Sequence, residues 1–143
     1  MSGAWNAERM LELGRRHAEA EARADLEATM ETMVPEPTYE FHPSGLMMRG
    51  GARVRRYYTQ FFENFLPKTV SYRLVEEWVN ETSVAQEYEI GLRVDGGVEN
   101  YRVIGILFAE GELLGGERIY ASEPFVRHMA GKMFGELEPL QHE

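Results

Sequence analysis

Two short stretches carry side chains that can move protons. In "PTYEFHPSG", residues 37–45, strand alternation puts Tyr39 and Phe41 on one face and Glu40 and His42 on the other. A carboxylate two residues from an imidazole can fix the ring's tautomer and raise its basicity, which makes a general base. The alternative is that Glu40 and His42 face water while the two aromatic rings face the core. In "GGERIYAS", residues 115–122, Arg118, Tyr120 and Ser122 share one face, and Glu117, Ile119 and Ala121 the other. An Arg and a Tyr together can hold a carboxylate or enolate oxygen. Otherwise Arg118 pairs with a surface acid and Tyr120 is half-buried.

Other chemistry finds little footing. His17, His42, His128 and His142 show no H-x-x-x-H spacing, so no metal site is expected. "GG" at 50 and 51 is too short for a phosphate loop, and no G-x-S-x-G nucleophile motif occurs. The chain has no cysteine, hence neither disulfide nor thiol chemistry. The acid–base chemistry that the first two stretches could carry needs no cofactor, only a base, an oxyanion donor and a dry cavity.

The elements that must position these groups follow from periodicity. Residues 7–33 read as helical, with Ala18, Ala22, Leu26, Met30 and Met33 on one face and Glu19, Arg23, Glu27 and Glu31 on the solvated side. Gly14 is a candidate break within this helix, and "VPEP" ends it. A short strand over 38–42 comes next, and Pro43 turns the chain into a loop carrying Met47 and Met48, which form either a lid or core. "GG" opens a second helix with Val54, Tyr57, Tyr58, Phe61, Phe62 and Phe65 on one face, and Pro67 stops it. From residue 69 four longer strands follow, "TVSYRLVEEWV", "SVAQEYEIGLRV", "ENYRVIGILFAE" and "ELLGGERIYA", with "VDGGVE" as a hairpin turn. "SEPFVRHMAGKMF" reads as a closing helix capped by Ser122, and the polar tail "GELEPLQHE" as frayed.

Helices followed by a mostly antiparallel sheet make an α+β domain. The 143 residues suit one domain, with its core over about 15–131. A curved sheet covered by helices forms a cone whose mouth can admit a ligand. Tyr88, Tyr101 and Trp78 on neighbouring strands would line an apolar cavity, with Tyr39 beside it and Tyr58 at its rim, unless these rings only pack the core. The net charge of −9 argues against a nucleic-acid partner. With no apolar run of membrane length and no signal segment at the start, a cytoplasmic protein is expected.

Four pieces in this order resemble the SnoaL-like domains of the nuclear transport factor 2-like superfamily. They are "AEARADLEATMETMVPEPTYEFHPSG", the aromatic helix "VRRYYTQFFENFLP", the strand meander, and "GGERIYASEPFVRHMAG". The resemblance implies the cone-shaped barrel and a family of isomerases, dehydratases, cyclases and non-catalytic binding modules. It aligns Ser122 with the acid–base aspartate that such cyclases carry before the closing helix. A serine cannot replace that carboxylate, because it does not ionise usefully near neutral pH. The alignment also favours Arg118 and Tyr120 as pocket-facing. The expectation is therefore a protein that binds a small apolar, carbonyl-bearing or polycyclic molecule. It would isomerise, dehydrate or cyclise that ligand with His42 and Glu40 as base and Tyr120 or Arg118 as donor, with Ser122 on the pocket wall. A ligand-binding or association module without catalysis is the alternative. Strand 99–110 is apolar on both faces, Val103 and Leu107 opposite Ile104, Ile106 and Phe108, so a homodimer through the sheet is also expected.

Overall fold

The computed structural model describes residues 4–140. Helix α1 (Ala7–Ala22) is capped by Asn6, whose side chain accepts from Arg9 N. The expected helix over 7–33 is two helices and the start of a strand. Arg23 and Ala24 form a turn, Ala24 at φ +54°, and Asp25 caps a new helix, α2 (Leu26–Glu31), by accepting from Ala28 N. Asp in this position competes for the backbone donors and restarts the helix in a new direction. Gly14 does not break α1. A Cβ there would press against Val84 on the sheet, so the glycine lets the helix approach the strand closely.

Strand β1 (Met33–His42) is twice the expected length and includes "VPEP". Its ladder to β6 (Leu113–Tyr120) skips from Met33 to Thr38. The two prolines lie in that irregular stretch, where missing N–H groups cost no ladder bond. The expected loop at Met47 and Met48 is strand β2 (Leu46–Arg49), paired with β1, and Met48 is core. Helix α3 (Gly51–Gln60) runs into a π-helical turn over Phe61–Phe65 before Pro67 stops it. Strands β3 (Thr69–Val79), β4 (Ser83–Val94), β5 (Gly97–Glu110) and β6 form the expected meander. Helix α4 (Glu123–Ala130) starts at Ser122, which accepts from Phe125 N. The tail is not free up to residue 140: β7 (Glu138–Pro139) pairs with β2, and Leu140 N donates to Gly45 O. The rest of the segment expected to fray, 141–143, lies outside the described residues, as does His142.

One curved sheet in the order β3-β4-β5-β6-β1-β2-β7 results, antiparallel except for β1 beside β6. It does not close, so the cone is an open one with β3 and β7 at its edges. The inner face is packed by the helices around Tyr39, Phe41, Tyr57, Leu92 and Phe125. The register of the ladders puts Trp78, Ala85, Ile106, Arg118, Glu40 and Met47 in one row across the outer face. Among the described residues, no helix is long and apolar enough to cross a membrane.

Gly116 is the tightest point of this sheet. Its φ is +148°, and a Cβ there would run into the backbone of its partner Thr38. Gly116→Ala should therefore cost about 3 kcal/mol or more of stability, because strain and backbone displacement add. Gly111→Ala, at φ +68° in open space, should cost about 1 kcal/mol. Equal losses in urea denaturation of the two variants would contradict this packing.

Candidate functional site

A cavity of about 350 Å³ opens between the inner sheet face, α1, the π-helical turn and α4. That volume accommodates a ligand of one or two rings. Most of the wall is apolar, with Phe61, Phe65, Val103, Leu107, Ile119 and Phe125 among its residues. Polar groups gather at one end: His17 and Glu21 from α1, and Glu117 from β6. Their ligand atoms all lie within 4.8 Å of one another.

Each of these three has a local cause. His17 and Glu21 are four residues apart, so one helix face presents both, with His17 Nε2 at 3.2 Å from Glu21 Oε2. His17 is buried, 1% exposed, and its Nδ1 lies 2.8 Å from Thr32 Oγ1. Thr32 spends its own hydroxyl proton on Thr29 O, at 2.7 Å. Thr32 Oγ1 must then accept from His17 Nδ1–H, which turns the Nε2 lone pair of the neutral ring toward Glu21 and the cavity. Tyr58 donates to Glu21 Oε2 at 2.5 Å, and its hydroxyl is 2.6 Å from that of Tyr39. Burial raises both phenols well above their ordinary range, and the charge of Glu21 adds to this, so both keep their protons.

Glu117 is different. No hydrogen bond or ion pair with a protein group engages its carboxyl among the described residues. The carboxyl reaches over β5 at Gly105, where any Cβ would collide with its Oε2. The apolar surroundings push its pKa well above the usual carboxylate range, and the nearby Glu21 adds to the shift. A carboxyl held partly neutral inside an apolar wall is able to give or take a proton at the cavity surface.

Of the residues singled out in the sequence, Tyr88 lines the cavity, and Tyr58 and Tyr39 stand behind its polar end. Tyr101 packs its ring on Phe125, a wall residue, and donates to Glu99. Ser122 caps α4. The remaining candidates are not among the cavity's lining residues. His42 and Glu40 do form a pair, Nε2 to Oε1 at 3.0 Å, and the His42 ring stacks on Tyr120 at 4.9 Å. Both pairings are on the outer face, where Arg118 lies over the Phe108 ring and Trp78 is 46% exposed. The register of β6 turns Glu117 and Ile119 inward. The spacing that would have found the other half of the cluster is H-x-x-x-E in "HAEAE", residues 17–21.

The SnoaL-like domain family matches this chain over residues 14–114. No curated protein matches it in sequence. Among solved structures, it is similar to a protein of Jannaschia sp. CCS1 described as a SnoaL-like polyketide cyclase, with a TM-score of 0.71 at 15% identity, over 92% of this chain and 98% of that one. It is similar to a protein of Kribbella flavida DSM 17836 described as a ketosteroid isomerase, with a TM-score of 0.67 at 14% identity, over 82% and 80% of the two chains. An epoxide hydrolase of M. tuberculosis has a TM-score of 0.64 at 14% identity, over 86% and 87%. At these identities the likeness is one of fold.

The state of Glu117 has a measurable consequence. Its folded-state pKa is raised, so the native protein binds a proton that the unfolded chain has already released above about pH 4.5. Stability is therefore lost as pH rises from the unfolded value through the folded one, by at most about 1.4 kcal/mol per pH unit for one proton. Glu117→Gln should melt higher than the wild type at pH 7 in EDTA, and the difference should shrink toward pH 4.5. A constant difference across that range would mean that the carboxyl is solvated.

Proposed function

Because the chain belongs to the SnoaL-like domain family, we propose that it binds a small, largely apolar, carbonyl-bearing molecule in the cavity and shifts a proton on it. Isomerisation, dehydration and cyclisation all begin with such a step. The observation that carries this reading is the Glu117 carboxyl, without a protein partner among the described residues, in the wall of an apolar cavity and beside His17 and Glu21. In this reading Glu117 meets the ligand oxygen and the His17–Glu21 pair takes and returns the proton. Thr32 and Tyr58 hold that pair in place. The reading moves the base from the expected Glu40–His42 pair to the inner face, since a base must reach the bound ligand.

The test uses 2-acetylnaphthalene in D₂O. Binding is followed by fluorescence, and deuterium entry into the acetyl methyl by NMR. The wild type should bind the ketone and accelerate exchange over buffer. Glu117→Gln should slow that exchange by about a hundredfold or more while retaining the ligand. Val103→Phe, which fills the cavity, should abolish binding, and His42→Ala should change neither. Binding without accelerated exchange would make the protein a ligand-binding module. Loss of exchange in His42→Ala would return the base to the outer face.

The outer sheet face supports a second, separate proposal, the homodimer. Ile104, Ile106 and Phe108 are half-buried there, beside Tyr120 at 42% exposure and Trp78. An apolar strand face of this kind is suited to a second copy. Light scattering at micromolar concentration should give twice the chain mass, and Ile106→Arg should give the single-chain mass. A wild type at single-chain mass throughout would exclude the dimer.

A further inference from the structure

We infer that His17, Glu21 and Glu117 form a binding site for one divalent metal ion of the zinc or cobalt type. The inference needs only these three side chains, and it goes beyond the proton-transfer reading.

The argument starts from donors and acceptors. The hydroxyl proton of Thr32 goes to Thr29 O, and that of Tyr58 goes to Glu21. In the neutral His17 ring, Nε2 is then a buried lone pair 3.2 Å from a Glu21 carboxylate oxygen and 3.2 Å from the Tyr58 hydroxyl, whose one proton is directed to Glu21. Once deprotonated, Glu117 adds a third acceptor, with no protein donor of its own among the described residues. Three acceptors converge within 4.8 Å, and the cavity is lined by no Lys or Arg among the described residues. Such a cluster calls for a compact positive centre. Two carboxylates are neutralised by one divalent charge. Ligand atoms about 2.0–2.2 Å from a zinc ion lie roughly 3.4 Å apart, close to the His17–Glu21 separation. Glu117 needs only a side-chain adjustment to join them.

The donor set and its surroundings suit such an ion. One imidazole nitrogen and two carboxylates match zinc or another first-row divalent ion, and three protein ligands leave a position open toward the cavity. Thr32 supplies the outer contact that a metal-bound histidine usually has, an acceptor for the opposite ring N–H. Tyr58 supplies the outer contact of Glu21 as a donor, its hydroxyl proton directed to Oε2. The ion's open position faces the space where the ketone oxygen of the proposed ligand would lie, so the ion would polarise that carbonyl in place of a proton on Glu117.

The same fold contains its own control. Glu40 and His42 form a similar pair at 3.0 Å on the outer face, but among the described residues no third carboxylate or histidine joins them into a cluster. Calorimetric titration of the EDTA-treated, dialysed chain with Zn²⁺ should give one ion per chain, and Co²⁺ should develop the visible absorption of a bound ion. Glu117→Gln and His17→Gln should each weaken binding by more than about tenfold, Thr32→Val by about tenfold, and Glu40→Gln not at all. Melting curves without metal establish that each variant is folded. If one variant fails to fold, Zn²⁺ should still raise the melting temperature of the wild type and not that of the other. The inference falls if the wild type shows no saturable binding, if Glu117→Gln binds as tightly as the wild type, or if Glu40→Gln removes the ion. If 2-acetylnaphthalene still binds and exchanges in EDTA, the proton-transfer reading stands while the metal inference is decided by the Zn²⁺ titration alone.

Discussion

The space over Gly105 is the constraint on which this site depends. The Glu117 carboxyl from β6 lies over Gly105, its diagonal neighbour on β5, and a side chain there would occupy the carboxyl's place. An unpaired carboxyl in such a wall costs stability, and a fold optimised for stability alone would fill the position with an aliphatic residue. The surrounding polar atoms are supported from behind: Thr29 holds Thr32, Thr32 holds His17, and Tyr39 holds Tyr58, which holds Glu21. Glu117 alone stands outside this chain of contacts and faces the cavity.

The chain contains two His–Glu pairs, and their different settings separate structure from chemistry. Glu40 and His42 sit two apart on a strand and bond to each other on the outer sheet face, beside Tyr120. Neither is among the residues that line the cavity. His17 and Glu21 sit four apart on a helix, the one buried and the other half-buried, at the polar end of the cavity, where a third acid meets them. A pair becomes a candidate for chemistry through what it faces, and facing is a property of packing.

This explains what the sequence could and could not deliver. The strand meander, the aromatic helix and the Ser122 cap were legible because they follow from local periodicity and capping chemistry. The division of residues 7–33 was partly legible in Asp25, a capping residue inside an apparent helix. The docked tail was not, since its partner β2 lies far back along the chain, and β2, though paired with the adjacent β1, is too short to show a period. The face of β6 that turns inward was not legible either. Alternation shows that Glu117 and Ile119 oppose Arg118 and Tyr120, but only the ladder to β5 and the helix cover decide which pair is inside. The fourfold spacing of His17 and Glu21 was visible, yet it gained meaning only when Glu117 arrived from a strand a hundred residues later.

The central claim is that the ligand's polar end meets Glu117. Carbon-13 NMR of glutamate labelled at its carboxyl carbon tests it directly, with the Glu117 signal assigned by its absence in Glu117→Gln. On titration with 2-acetylnaphthalene, the Glu117 resonance should shift in a saturable way while that of Glu40 stays still. A saturable shift at Glu40 with Glu117 unmoved would contradict the account and put the site on the outer face of the sheet.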